Sequence, residues 1–200
     1  MKERVVADIS RLPLHGMGAA SMTWWGTLAF MLIEGTGFAL AIAVYLYLMS
    51  VAATWPIDAP RPDLLPGTIV TLLLLVSLVP NYLVARWPEQ QDLLKVKVGL
   101  VVMSILGIAP LIGRMFEFKA LNVSWDSNAY GSIVWVLLGF HTTHVLTDLL
   151  DTGVLTTLVF FGPMDEHKFV DVSENTLYWY FVVLSWLPIY ALIYFAPRIV

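Results

Sequence analysis

The sequence predicts an all-α, polytopic membrane protein with five transmembrane helices, on three observations. Hydrophobic residues make up 58% of the chain and charged residues only 13%, at a mean hydropathy of +0.77, which leaves too little polar surface for a water-soluble globule. Several apolar runs exceed the roughly 20 residues that cross a bilayer as helix. The breaks between them are short, polar and rich in turn-forming residues.

In chain order, the spans are read at 24–50, 66–86, 93–116, 129–160 and 174–196. Trp55-Pro56-Ile57-Asp58-Ala59-Pro60-Arg61-Pro62 separates the first two, because its prolines deny the backbone a helical ladder. The polar stretches Arg86–Asp92 and Gly162–Lys168 make the second and fourth breaks. Pro80, Pro110 and Pro188 fall inside spans, where each removes a backbone hydrogen bond. Trp24, Trp25, Trp55, Trp87 and Trp125 stand at span ends and are read as interfacial anchors. Two regions result: an N-terminal segment, 1–21, at the membrane surface, and a transmembrane domain, 22–200. The tail is not read as a signal peptide, since the apolar run beginning near Met22 is too long for an h-region.

Basic residues give the orientation. Lys2, Arg4, Arg11, Arg86, Lys95, Lys97 and Lys168 fall on one side and Arg61, Arg114, Lys119 and Arg198 on the other, seven against four. The positive-inside rule then places the N-terminus in the cytoplasm and the C-terminus outside a bacterial-type inner membrane. The net charge of −4 is uninformative taken as a sum, and no nucleic-acid patch is visible. With no cysteine, disulfides, thiolate nucleophiles and cysteine-ligated metal centres are excluded.

Chemistry concentrates in the fourth span. His141, His144, Asp148 and Asp151 advance by three, four and three and so form one stripe on a helix. Ionisable groups at membrane depth are costly unless they turn inward and find partners, so the stripe is expected to face protein or water. Asp148, one turn after His144, is placed for a carboxylate–imidazole hydrogen bond. The histidines are read either as hydrogen-bond donors to Glu34 or to carbonyls, or as metal ligands. Two histidines on one helix face cannot approach opposite faces of one haem iron, and no other span contains a histidine. Glu34 lies mid-span in Ile33-Glu34-Gly35-Thr36-Gly37, where small neighbours let another helix approach. It is read as a structural polar clamp or as a carboxyl that exchanges protons. Glu117, three residues after Arg114, is read as half of an interfacial ion pair, with a functional site as the alternative.

These residues carry a resemblance. Tyr130-Gly131-Ser132 followed by Gly139-Phe140-His141-Thr142-Thr143-His144-Val145 resembles the signature of subunit III of the haem–copper oxidases, with the same spacing. The buried glutamate of Phe30-Met31-Leu32-Ile33-Glu34, the Trp55-Pro56 loop and Glu117-Phe118 follow in family order. The likeness runs from about Trp24 to the C-terminus, in the short form lacking the first two of seven helices. Two departures stand out. Trp179-Tyr180-Phe181-Val182-Val183-Leu184-Ser185-Trp186 replaces the family's Trp-His-Phe-Val-Asp-x-x-Trp, and Asp148 stands where small or apolar residues are usual. Any polar network between the last two helices must therefore be rebuilt.

The resemblance implies a non-catalytic accessory subunit of a membrane-bound terminal oxidase in aerobic respiration. It would be a helix bundle with a lipid cleft, holding phospholipid, stabilising the catalytic subunit and supporting proton uptake. Glu34, Glu117, His141, His144 and Asp148 are then the buried polar, lipid-cleft or proton-network candidates. No metal or cofactor is expected in this chain, haem and copper being expected in subunit I and other partners, within an oxidase or a larger respiratory supercomplex. Three other readings stand beside it: a subunit III-like component of a nitric oxide reductase complex, a self-contained metalloenzyme built on His141, His144, Asp148, Glu34 and Glu117, and a proton-coupled carrier. The carrier reading calls for inverted repeats or broken helix pairs, and no such pair is evident.

Overall fold

A computed structural model describes residues 20–87, 93–162 and 166–199, the backbone alone at 166–169. Lys2, Arg4, Arg11, most of the 1–21 segment, the Pro88–Asp92 break, residues 163–165 and the Lys168 side chain lie outside the described residues. The helices are α1 Met22–Val51, α2 Leu64–Arg86, α3 Leu93–Lys119, α4 Ala129–Phe161 and α5 Glu166–Tyr190. A π-helical turn, Ala191–Phe195, and a last turn α6, Ala196–Ile199, continue α5. Among the described residues five helical segments are long and apolar enough to span a membrane. The main correction concerns α5, which starts eight residues before the expected 174. Its first turns carry Asp171 and Glu174, and a helix that has left the hydrocarbon needs no apolar side chains to persist.

Helices α2, α3, α4 and α5 form a ring, each packed on its two neighbours, while α1 lies outside against α4 and α5. Its most apolar stretch is only 6% buried within the chain, against 33% to 44% for the other spans. Lipid tails are as apolar as leucine, so the ring is held by close packing and interhelical hydrogen bonds. The Trp179 indole donates to Ser77 Oγ and that of Trp186 to Thr71 Oγ1, each at 2.8 Å, and Asn81 Nδ2 donates to the Thr176 carbonyl at 2.9 Å. These three bonds tie α2 to α5. Between α2 and α3, a Cβ on Gly99 would stand 2.4 Å from Val84 Cγ2, so glycine sets that approach.

The Tyr-Gly-Ser segment closes the end of α4. Asn128 caps the helix by accepting from the Gly131 N–H at 2.8 Å and donates from Nδ2 to the Ile57 carbonyl at 2.7 Å. Tyr130 stacks edge-on against Trp55, and Ser132 Oγ donates to the Trp125 carbonyl at 2.7 Å. A Cβ on Gly131 would stand 2.3 Å from the Ser124 carbonyl oxygen. Gly131→Ala is therefore expected to cost about 1–3 kcal/mol by overpacking. Gly26, with nothing within 4 Å, is expected to accept alanine at no cost; unfolding of the two variants in detergent compares them.

Trp55 corrects a second expectation. It is 7% exposed and donates from Nε1 to Tyr45 Oη at 2.9 Å, while Tyr45 donates to the Leu192 carbonyl at 2.7 Å. A satisfied indole N–H lets the ring sink into the core. Trp25 and Trp125 remain exposed, as anchors should.

Candidate functional site

The five candidate residues divide between a buried ion-pair network and an acid-lined cleft. In the first, Arg114 on α3 is 1% exposed and Glu117, one turn on, 0%. Arg114 Nη1 donates to Glu117 Oε2 at 2.6 Å, and Tyr194, in the π turn, donates to Oε1 at 2.8 Å. The expected interfacial pair is thus a core pair, because the far end of α5 folds over it. The guanidinium lies 3.7 Å above the Trp186 ring. With Arg114 inside the core, the side counted at four basic residues has one of them away from its surface.

His141 belongs to this network. Arg114 Nη2 stands 2.8 Å from Nδ1, and Nε2 stands 2.9 Å from the Val182 carbonyl. A guanidinium only donates and a carbonyl only accepts, so Nδ1 carries the lone pair and Nε2 the hydrogen. His141 is held neutral in one tautomer. The link from α4 to α5, lacking the histidine and aspartate usual in the last helix, is rebuilt onto a backbone carbonyl.

His144 faces the other way, toward α1. Its Nδ1 donates to the Phe140 carbonyl at 2.7 Å, and Nε2 stands 3.3 Å from Glu34 Oε1. Tyr178 on α5 donates to Glu34 Oε2 at 2.7 Å. Of the partners expected for His144, the geometry gives a carbonyl to Nδ1 and Glu34 to Nε2, and not Asp148. His144 Nε2 and Glu34 Oε1 thus face each other where α4 meets α1, further apart than the Tyr178–Glu34 hydrogen bond. Tyr178→Phe is expected to loosen α5 from α1 by about 1 kcal/mol, measured as a lower unfolding midpoint.

Glu34 and Tyr178 also line a cleft of about 480 Å³ between α1, α4 and α5. Asp148, Asp151, Asp171 and Glu174 add four more carboxyls, and Phe30 and Leu155 supply apolar wall. Asp148 is 3% exposed, with Oδ1 unpartnered. Asp151, expected on the inward stripe, is exposed on the cleft and accepts from Asn175 Nδ2 at 3.3 Å. Glu174 accepts from Ser21 at 3.1 Å and Thr23 at 2.5 Å, pinning the start of α1.

Two participants were not singled out from the sequence, Tyr178 and Tyr194. Both stand within four residues of an end of the 174–196 span, where a tyrosine has the look of an interfacial anchor.

Comparison with known proteins agrees with the arrangement. The profile of the family "Cytochrome c oxidase subunit III" matches residues 69–197. A probable cytochrome c oxidase subunit 3 of Mycobacterium tuberculosis is 27% identical over 195 residues, covering 91% of this chain and 92% of its own length. The cytochrome c oxidase subunit 3 of Synechocystis is 27% identical over 183 residues, 90% of this chain and 78% of the relative. That of Trichophyton rubrum is 32% identical over 99 residues, 48% of this chain and 36% of the relative. With the five spans, the half-buried glutamate on α1 and the two histidines on α4 in place, the chain belongs to the cytochrome c oxidase subunit III family.

Proposed function

We propose that this subunit carries no redox centre of its own and serves the catalytic subunit in three ways: it buttresses it, seats phospholipid and helps gather protons for it. Haem and copper belong, on this reading, to the partner subunits. The observation that supports the proton role is the approach of His144 to Glu34, with Glu34 on the wall of a cleft that also carries Asp148, Asp151, Asp171 and Glu174. On this reading the cleft carboxyls raise the local proton concentration, and the Glu34–His144 contact is where a proton passes inward. Lipid finds a seat beside the cleft, in a shallow apolar groove of about 390 Å³ lined by Leu149, Leu150, Gly153 and Leu158. The orientation with the cleft mouth in the cytoplasm rests on the positive-inside count.

The test is Glu34→Gln, alongside His144→Leu, in the assembled complex. Haem content and spectrum are expected to stay at wild-type levels, while proton uptake from the cleft side, followed with a pH dye during a single turnover, slows several-fold. Loss of haem, or unaltered uptake in both variants, would count against the proposal.

A further inference from the structure

The apolar groove on the outer face of α4 has a cation at one end. Gly153, Thr157 and Phe160 follow one another at helical spacing and so share that face. Lys97 on α3 stands over the Phe160 ring, its Nζ 5.1 Å from the centroid. Lys97 lies in the opening turns of α3 and Phe160 in the closing turn of α4, so both belong to the membrane face on the N-terminal side. From there the groove runs inward to Leu149. Leu149 to Leu158 is a rise of roughly 13 Å, close to half of the ~30 Å hydrocarbon core, so the groove has the depth of one leaflet. A Cβ on Gly153 would meet nothing within 4 Å. That glycine serves no close approach inside the chain, although glycine in mid-helix weakens a helix relative to alanine; it leaves room above the α4 backbone. Among the described residues no carboxylate pairs with Lys97, and none lines the groove. Thr157 adds no donor, since its hydroxyl is already given to the Gly153 carbonyl at 2.9 Å.

A cation at the leaflet surface, over an apolar channel one leaflet deep, matches a phosphate esterified to acyl chains. We propose, building on the lipid seat already assigned to this groove, that it selects an anionic phospholipid from the leaflet on the N-terminal side. Lys97 donates to the phosphate, and an acyl chain lies across Gly153 between Leu149 and Leu158. A lone lysine favours a headgroup that brings only negative charge, because a zwitterion sets its own cation beside Lys97 and loses part of the attraction. Lys97 is half-buried, which does not take it out of play, since a lysine stem can lie on apolar surface while its ammonium reaches the headgroups. The carboxyls of the neighbouring cleft stand between α1, α4 and α5, on the flank of α4 away from α3.

The experiment takes the oxidase complex purified through this subunit, strips its lipid in detergent and supplies equal amounts of dioleoyl phosphatidylglycerol and dioleoyl phosphatidylcholine. Native mass spectrometry then counts the lipids retained. Wild type is expected to hold one lipid that Gly153→Leu loses, because the leucine fills the groove and its Cβ meets nothing in the chain. For that lipid a preference for phosphatidylglycerol of about fivefold is expected, abolished by Lys97→Gln and kept by Lys97→Arg. Equal retention of the two lipids by wild type, or a preference unchanged in Lys97→Gln, overturns the proposal; the lipid seat itself then stands so long as Gly153→Leu still loses one lipid. No loss of lipid in Gly153→Leu overturns the seat and the proposal together.

Discussion

Glu117→Ala is expected to destabilise the subunit by about 3–5 kcal/mol, enough to strip it from the complex in detergent. Among the described residues the Glu117 carboxylate is the counter-charge in contact with Arg114, which is 1% exposed. Without it the guanidinium would face the neutral imidazole of His141 at 2.8 Å and the Trp186 ring at 3.7 Å. Neither carries negative charge, and Arg114 Nε already lacks a partner. Tyr194 would also lose its acceptor. Glu117→Gln keeps an acceptor for Tyr194 but not the charge, and should fall between. The instructive variant is the double replacement Arg114→Met with Glu117→Leu. Removing both charges removes the desolvation cost as well as the attraction, so most of the lost stability should return. Unfolding midpoints in dodecylmaltoside, with subunit retention after gel filtration, measure all three. A double variant as unstable as Glu117→Ala would mean that the site needs its hydrogen-bond geometry and not merely its charge balance.

How much of this was legible in the sequence follows from the range of the interactions. The spans were plain because bilayer thickness imposes a length and a composition on each run. The polar stripe on α4 was plain because helical period alone puts His141, His144 and Asp148 on related faces. The partners were not, since they depend on which helix comes alongside. Asp148 looked like the natural partner of His144, one turn away, yet helical side chains lean toward the N-terminus. The imidazole reaches back to the Phe140 carbonyl and its far nitrogen finds Glu34, 110 positions earlier in the chain. Glu117 looked interfacial because hydropathy marks where an apolar run ends, whereas burial depends on what folds over that end. Here it is the π turn after Pro188. A π turn shifts the side-chain register and changes which carbonyls are open, and this one brings the Tyr194 hydroxyl to Glu117 and offers the Leu192 carbonyl to Tyr45. Nothing in Ala191-Leu192-Ile193-Tyr194-Phe195 announces that geometry locally.

Trp186→Ala is expected to be the other severe lesion, at about 3 kcal/mol, and the two should not add. Tryptophan truncations cost about 3–5 kcal/mol in water-soluble cores; the lower end applies here because the transfer term fades where the alternative surroundings are lipid. What remains is contact. The ring is fully buried, lies under the Arg114 guanidinium, packs 4.9 Å from the His141 ring and donates to Thr71 on α2 at 2.8 Å. It therefore touches all four helices of the ring, and deleting it leaves a cavity, an unpartnered Thr71 hydroxyl lone pair and a guanidinium without its aromatic face. Trp186→Phe keeps part of the volume and the π face but not the N–H, and should recover more than half of the loss. In the combined Trp186→Ala, Glu117→Ala variant the guanidinium has already lost its carboxylate, so it is free to leave the core through the space the ring occupied. The double variant should thus lose less than the sum of the singles by about 1 kcal/mol or more, the coupling expected of residues in one network. Simple additivity in the unfolding midpoints would mean that Trp186 acts on α2 through Thr71 alone and that the ion pair stands without it.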